Sequence, residues 1–153
     1  MPQVEHQAQR LPLAFELLRE ELALIDAQFD AITAASDVGE RAAREGDLLR
    51  AIDRYLRLES EVLHPVLARK RIDHAAAAAS NARLRSAARE LASSDPGSSP
   101  APLAGLRSSL RSHQQAQEEA LLPCVANALS DELPGLAVEL QEVRDRMKGA
   151  FGV

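Results

Sequence analysis

Two stretches of the chain repeat one pattern, in which two polar residues four positions apart precede a proline. The first stretch reads YLRLESEVLHPVLA and carries Tyr55 and Glu59, and the second reads HQQAQEEALLPCVA and carries His113 and Gln117. Residues four apart lie on one face of a helix, so each pair points in one direction. The pattern therefore predicts that the two pairs either hold a metal ion or form a buried hydrogen-bonded cluster.

Helical periodicity is strong in the first half of the chain, and the sustained alternation typical of strands is absent. The first helix is predicted over Leu13–Ala34. A connector follows at residues 36–47, with Asp47 as the N-cap of helix two. Helix two carries the first polar pair and continues past Pro65, which is expected to kink it near its end rather than begin a loop.

The second half of the chain continues the helical pattern. Helix three is predicted to reach about Leu91, and the Ser/Pro/Gly-rich segment 93–102 is the clearest linker. Helix four follows the linker and carries the second polar pair. A shorter final helix is predicted over 131–147, after a turn around residues 134–135.

Long amphipathic helices joined by short connections predict an all-α fold, an up-down-up-down four-helix bundle with a short additional C-terminal helix. We assign residues 1–12 as a flexible N-terminal tail and residues 13–153 as one domain. In such a bundle helices two and four run parallel on a diagonal. Their repeated motifs then face each other across the core.

Composition narrows the classes of function. The 153 residues carry a net charge of −5 with acidic and basic residues interspersed, so there is no basic footprint for nucleic acid. No apolar run reaches the length of a membrane span. The single cysteine, Cys124, cannot form a disulfide within the chain, which suits a reducing compartment. We therefore expect a cytoplasmic protein that binds neither nucleic acid nor membrane.

The inner stripes of the predicted helices contain five polar residues: Tyr55, Glu59, Asn81, His113 and Gln117. Burying a carboxylate without a partner costs several kcal/mol or raises its pKa until it is neutral. Glu59 therefore needs a cation, a metal ion or a set of hydrogen-bond donors. His113 as an imidazolium could pair with it, and the other three side chains can each donate. The layer could satisfy itself without a metal ion.

The proline-anchored repeats in four helices resemble hemerythrin-like domains, the HHE cation-binding family. The resemblance runs from about Leu13 to Met147 and includes the closing segment LSDELPGLAVELQEVRDRM. It implies a four-helix bundle holding a non-haem di-iron centre that binds or senses oxygen. The implied ligands are a His on helix one, a His-x-x-x-Glu pair on each of helices two and four, and one or two His on helix three. The two carboxylates bridge the irons.

This chain keeps two of the implied ligands, Glu59 on helix two and His113 on helix four. The other ligand positions carry different side chains: Leu22 on helix one, Tyr55 on helix two, Asn81 on helix three and Gln117 on helix four. A di-iron centre needs both bridging carboxylates and several imidazoles. The degenerate set thus predicts loss of that centre, and the alternative is a rearranged mononuclear iron site on Glu59, His113 and Tyr55.

A second group of possible ligands is expected at one end of the bundle, where His64 closes helix two, His74 opens helix three and Cys124 ends helix four. Two imidazoles and a thiolate could bind zinc. The competing interpretation makes Cys124 a small buried hydrophobe. Five other acidic residues are predicted to be solvated surface charges: Glu20, Glu21, Glu61, Glu118 and Glu119.

No Ser-His-Asp set, phosphate loop or pair of acid/base carboxylates is recognisable in the sequence, so an enzyme is not expected. The pattern favours a binding protein, a sensor-like or protein-interaction module that has lost the di-iron centre. An apolar ligand pocket in the bundle core is a further interpretation, because the small residues Ala77 and Ala88 could leave room there. Dimerisation through an outer helix face is also open.

Overall fold

Every regular element in the part of the chain that the structure describes, residues 13–95 and 100–150, is helical. This computed structural model thus confirms the all-α prediction. The segment predicted as an N-terminal tail, residues 1–12, lies outside the described residues. In chain order the segments are α1 (Leu13–Ala34), α2 (Val38–Leu58), π1 (Glu59–Leu63), α3 (His64–Arg69), α4 (Ala75–Ser93), α5 (Ala101–Ala116), π2 (Gln117–Leu121), α6 (Leu122–Ala128) and α7 (Leu133–Ala150).

Two of the helices are composite, because α2, π1 and α3 follow one another without a break, as do α5, π2 and α6. The described residues therefore form five helices. Helix α1 has the predicted bounds, and α4 begins after the predicted turn, where Arg71 has a φ of 56°. Left-handed backbone of this kind ends one helix and redirects the chain into the next.

The predicted connector at residues 36–47 is wrong, because α2 already begins at Val38. Asp37 is its N-cap, and the Asp37 side chain accepts a hydrogen bond from the backbone N–H of Glu40 at 2.7 Å. The Glu40 carboxylate in turn accepts from the N–H of Ser36 at 3.2 Å. This reciprocal arrangement satisfies free donors at the helix start, so the N-cap is Asp37, ten residues before the predicted Asp47.

The last helix agrees with the prediction in length but not at its start. Helix α7 spans 18 residues and is the shortest of the five helices in the described ranges. Pro134 and Gly135, predicted as a turn, lie in its first turn instead. Proline is well tolerated there, because the first N–H groups of a helix have no partner within the helix.

The core lies where the helices pack on one another. Helix α1 contacts both α2 and α7, α4 contacts α5, and α2 contacts α4 as well as α7. Helix α7 also contacts π1. Leucines make up more than half of the buried hydrophobic side chains, and Phe15, Phe29 and Tyr55 are the large aromatic residues among them. In the described ranges no helix is both long and apolar enough to cross a bilayer.

Candidate functional site

Prolines explain why each repeated motif contains a π-helical segment. Pro65 has no N–H, so in a regular α-helix the carbonyl of Glu61 would lose its partner. The chain widens instead, and the N–H of His64 bonds the carbonyl of Glu59, five residues back. In the second copy the N–H of Leu122 bonds the carbonyl of Gln117 in the same way, just before Pro123. Single π turns inside α-helices occur often at functional sites.

Glu59 is the first residue of π1 and its side chain is completely buried. His113 Nε2 lies 2.9 Å from both of its carboxylate oxygens. Tyr55 donates its hydroxyl to Oε2 at 2.9 Å, and Asn81 Nδ2 donates to Oε1 at 3.1 Å. Three side chains from three different helices thus surround one buried carboxylate. Hydrogen bonds to a charged group are stronger in such a buried site than in water.

Gln117, the first residue of π2, joins this cluster through Tyr55. The Tyr55 hydroxyl lies 2.7 Å from Gln117 Oε1, and the Gln117 side chain is 4% exposed. The other terminal atom of the Gln117 amide has no hydrogen-bond partner. A hydroxyl donates one proton only, so Tyr55 donates either to Glu59 or to Gln117. When Tyr55 donates to Glu59, the Gln117 amide donates its N–H to the Tyr55 hydroxyl oxygen. The amide oxygen of Gln117 is then the atom without a partner.

The five polar residues of the inner stripes are therefore all buried and joined in one network, as the sequence predicts. Burial raises the pKa of the Tyr55 hydroxyl well above its ordinary value of about 10. The negative charge of Glu59 and the hydrogen bond to it raise that pKa further. Tyr55 is thus held in its neutral form, and its hydroxyl proton can be donated to Glu59 or to Gln117.

A sixth polar residue, Ser80, belongs to the site and was missed in the sequence. Its Oγ lies 2.6 Å from Nδ1 of His113, and its side chain is 8% exposed. Helical spacing could have found it, because Ser80 lies three residues after Ala77 and four before Leu84, both of which are buried. Ser80, His113 and Glu59 thus form a hydrogen-bonded row that is not recognisable in the sequence.

Asn81 connects the buried layer to the surface. Its side-chain oxygen accepts from Nε of Arg85 at 3.0 Å, while its nitrogen donates to Glu59. Arg85 also donates to the hydroxyl of Ser60 at 3.3 Å. The guanidinium therefore fixes the orientation of the Asn81 amide, which leaves the nitrogen facing the carboxylate.

A pocket of about 210 Å³ ends on this network between α4 and the composite helix α5–π2–α6. Ser80, His113 and Gln117 form its polar part, while Asp73, His74 and Cys124 lie at its outer end. Its remaining walls are small or apolar: Ala76, Ala77, Ala116, Ala120 and Leu121. Ala77 lines this pocket, whereas Ala88 lines a separate concavity between α2 and α4.

The residues present do not fit a di-iron centre. Leu22 is part of the hydrocarbon core, and Glu59 is the only carboxylate among the described residues that hydrogen-bonds to His113. Because an ionised carboxylate only accepts hydrogen bonds, His113 Nε2 carries a proton toward Glu59, and that nitrogen then has no lone pair for a metal ion. Within residues 13–95 and 100–150 no three His, Cys, Asp or Glu side chains are grouped so as to hold a metal ion.

The second group of possible ligands comes together only in part. The rings of His64 and His74 lie 5.5 Å apart between centroids and are tilted by 37°, and His74 Nδ1 bonds the carbonyl of Ile72 at 3.0 Å. Cys124 is exposed, so its interpretation as a buried hydrophobe is wrong. Partial burial lowers the pKa of His64, and its Nε2 has no hydrogen-bond partner.

One predicted surface charge is also buried. Glu21 is fully enclosed beside Leu22, although the sequence places it with the solvated acids. Its Oε2 accepts from Nε of Arg54 at 3.0 Å, and Nη1 of Arg144 lies 3.8 Å from Oε1. Helices α1, α2 and α7 thus meet around one charged group. The pairing of Glu21 across helices is what makes burial of its charge possible.

No family model, no curated protein and no solved structure was found to match this chain. The resemblance to hemerythrin-like domains thus rests on the residue pattern alone.

Proposed function

We propose that this chain is a hemerythrin-like bundle protein that has lost its di-iron centre and binds a small, mainly apolar molecule in the pocket beside its polar layer. In that arrangement the four helices α1, α2–π1–α3, α4 and α5–π2–α6 run up-down-up-down, and α7 packs as a fifth. The connections of three residues after α1 and five residues after α3 support this, since short connections join antiparallel neighbours. Through binding of this small molecule the protein acts as a sensor-like module.

The observation that carries the proposal is the unpartnered amide atom of Gln117, which is 96% buried, on a residue that lines the pocket. A buried polar atom without a partner costs about 1–3 kcal/mol. A ligand that bonds to this atom recovers that free energy. The alanine walls meanwhile favour apolar surface, and a cavity of about 150 Å³ is large enough for a benzene-sized molecule. The expected ligand is therefore a small ring or short chain with one polar group.

Calorimetric titration with phenol and toluene tests this proposal. The two molecules have nearly the same shape, but phenol alone can donate to or accept from Gln117. We expect phenol to bind about tenfold more tightly, since 1.4 kcal/mol corresponds to a factor of ten. Gln117→Leu should remove this preference while leaving the binding of toluene intact.

Two variants of α4 provide the matched comparison. Ala77→Leu places a larger side chain on the pocket wall and should abolish binding of both compounds. Ala82→Leu makes the same change at an exposed position of the same helix and should leave binding unchanged. Equal heats for phenol in the native protein and in the Ala77→Leu variant would rule the proposal out.

The alternative is a mononuclear iron site on Glu59 and His113 with Tyr55. It is favoured by the convergence of one carboxylate, one imidazole and the Tyr55 hydroxyl, which lies 2.9 Å from that carboxylate, and it requires His113 Nε2 to lose the proton that it directs at Glu59. Metal analysis of protein from iron-supplemented cultures separates the cases. A content of about one iron per chain, absent from the Glu59→Ala variant, would support the alternative. A content of about two irons per chain would indicate a di-iron centre. Dimerisation through an outer helix face stays a prediction.

A further inference from the structure

Three buried side chains form a continuous row that ends at the pocket. Ser80 Oγ lies 2.6 Å from His113 Nδ1, and His113 Nε2 lies 2.9 Å from the Glu59 carboxylate. Ser80 also lines the pocket, whereas Glu59 lies behind His113 and does not. The row therefore runs from the pocket into the core as hydroxyl, imidazole and carboxylate.

The direction of the protons follows from the carboxylate. Ionised Glu59 only accepts hydrogen bonds, so Nε2 of His113 carries a proton. In the neutral imidazole the other nitrogen, Nδ1, then has a free lone pair, and it accepts the hydroxyl proton of Ser80. A base is thus already bonded to the serine proton, and Glu59 stabilises the imidazolium that forms when the proton moves. This is the logic of a catalytic triad, with the two ring nitrogens exchanged.

We propose that Ser80 is a nucleophile that accepts a short acyl group from a small carboxylic ester bound in the pocket. Ser80 Oγ bonds to the carbonyl carbon, and its proton passes to His113 Nδ1. The bond between that carbon and the alcohol oxygen then breaks, and Nδ1 returns the proton to the departing alkoxide. The products are acyl-Ser80 and the free alcohol.

Water completes the reaction by the same route. A water molecule that enters in place of the alcohol gives one proton to His113 Nδ1 and bonds to the acyl carbon. The bond from that carbon to Ser80 Oγ breaks, and the proton returns to Oγ. The carboxylic acid leaves, and Ser80 is restored. No oxidant, reductant or metal ion takes part.

The pocket limits the substrate to a small ester. Its volume of about 210 Å³ and its alanine walls accept a short acyl group but not a long chain. The negative charge that develops on the carbonyl oxygen of the ester needs a hydrogen-bond donor. The backbone N–H groups around Ser80 do not supply it, because they belong to helix α4. The Gln117 amide supplies one when Tyr55 donates to its oxygen, because its Nε2 is then free.

Incubation of the protein with p-nitrophenyl acetate tests the inference. We expect one p-nitrophenolate per chain to be released in a rapid phase, and one acetyl group on the peptide that contains Ser80. Ser80→Ala should abolish both. Ser86→Ala, an exposed serine on the same helix, should leave both unchanged. Cys124 is exposed at the outer end of the pocket, so the experiment is repeated in Cys124→Ser.

Two further variants separate chemistry from folding. His113→Gln removes the base and should slow acetylation about 100-fold, the usual contribution of such a group. Glu59→Gln should lower the maximal rate of acetylation and leave the half-saturating ester concentration unchanged, because this positioning residue does not line the pocket. Far-ultraviolet circular dichroism confirms that each variant is folded.

The inference rests on the proposed ligand pocket, and the two can fail separately. Acetylation confined to Cys124, or no acetylation of a protein that binds phenol, would overturn the nucleophilic role of Ser80 and leave the binding proposal standing. Loss of phenol binding together with continued acetylation of Ser80 would overturn only the binding proposal. Acetylation of Ser80 that is unchanged in His113→Gln would show that His113 is not its base.

Discussion

Glu59 and Gln117 occupy the same place in two copies of one motif, and the hydroxyl of Tyr55 contacts both, at 2.9 Å and 2.7 Å. Each is the first residue of a π-helical segment that ends two residues before a proline. The prolines are therefore part of the site, since the helix widens where the polar side chains turn inward. One copy contributes a charge and the other a neutral amide.

Loss of the bridging hydroxyl should destabilise the fold. Tyr55→Phe keeps the ring but removes the hydrogen bond to Glu59 and the contact with Gln117. Both groups are buried, so we expect unfolding to become about 1–3 kcal/mol easier. Urea denaturation measures the change. Glu61→Gln, at an exposed position in π1, is the control and should shift stability by less than about 0.5 kcal/mol. Equal effects in the two variants would contradict the network.

Tyr55 should resist ionisation in the folded protein. It is the only tyrosine, and the chain has no tryptophan, so the near-ultraviolet absorbance of tyrosinate reports this residue alone. Because burial and Glu59 raise its pKa above the ordinary value of about 10, the signal should appear only above that pH, and near it in denaturant.

The same shift predicts loss of stability in alkali. The hydroxyl of Tyr55 keeps its proton more strongly in the folded state than in the unfolded state, so its contribution is complete below about pH 10 and falls as the pH rises. The midpoints of urea denaturation, measured below and above that pH, give the slope of stability against pH. Tyr55→Phe should have a shallower alkaline decrease than the native protein. Identical slopes would exclude Tyr55 as the source.

The buried charge of Glu21 should depend on Arg54. Arg54→Met keeps much of the side-chain length and removes the partner at 3.0 Å, which leaves only Arg144 at 3.8 Å. An uncompensated buried charge is costly, so we expect a loss of about 3 kcal/mol in urea denaturation. Arg57→Met breaks the exposed pair with Glu61 and should cost less than about 1 kcal/mol. A similar small cost for both would show that solvent reaches Glu21.

His64 should make the fold less stable in mild acid. Burial lowers its pKa below the ordinary 6.5, with His74 and His113 adding to the shift and Glu59 opposing it. The unfolded chain then binds more protons than the folded one between the lowered pKa and pH 6.5, so stability rises with pH through that window. Below it the contribution is lost. Urea midpoints above and below pH 6.5 should differ less in His64→Gln than in the native protein.

Helical periodicity was enough to predict the elements and the inner stripes. The bounds of α1 agree with the sequence prediction, and all five predicted polar residues of the inner stripes are buried. Both follow from local rules, because the period of a helix fixes which side chains share a face. The start of α2 at Val38 does not follow from the sequence pattern although its cap residues are local, because the Gly and charged residues that follow are typical of a connector.

Contacts between helices were decided only by the tertiary structure. Ser80 meets His113 across 33 positions of the chain, and Glu21 meets Arg54 across another 33. Residue spacing specifies which side chains share one face of a helix. Which side chains they meet on the next helix depends on the depth and rotation of that helix in the bundle, and the packing of large side chains sets both. The sequence thus determined that the five polar residues of the inner stripes are buried, and the packing decided that Ser80, not Asn81, bonds the imidazole.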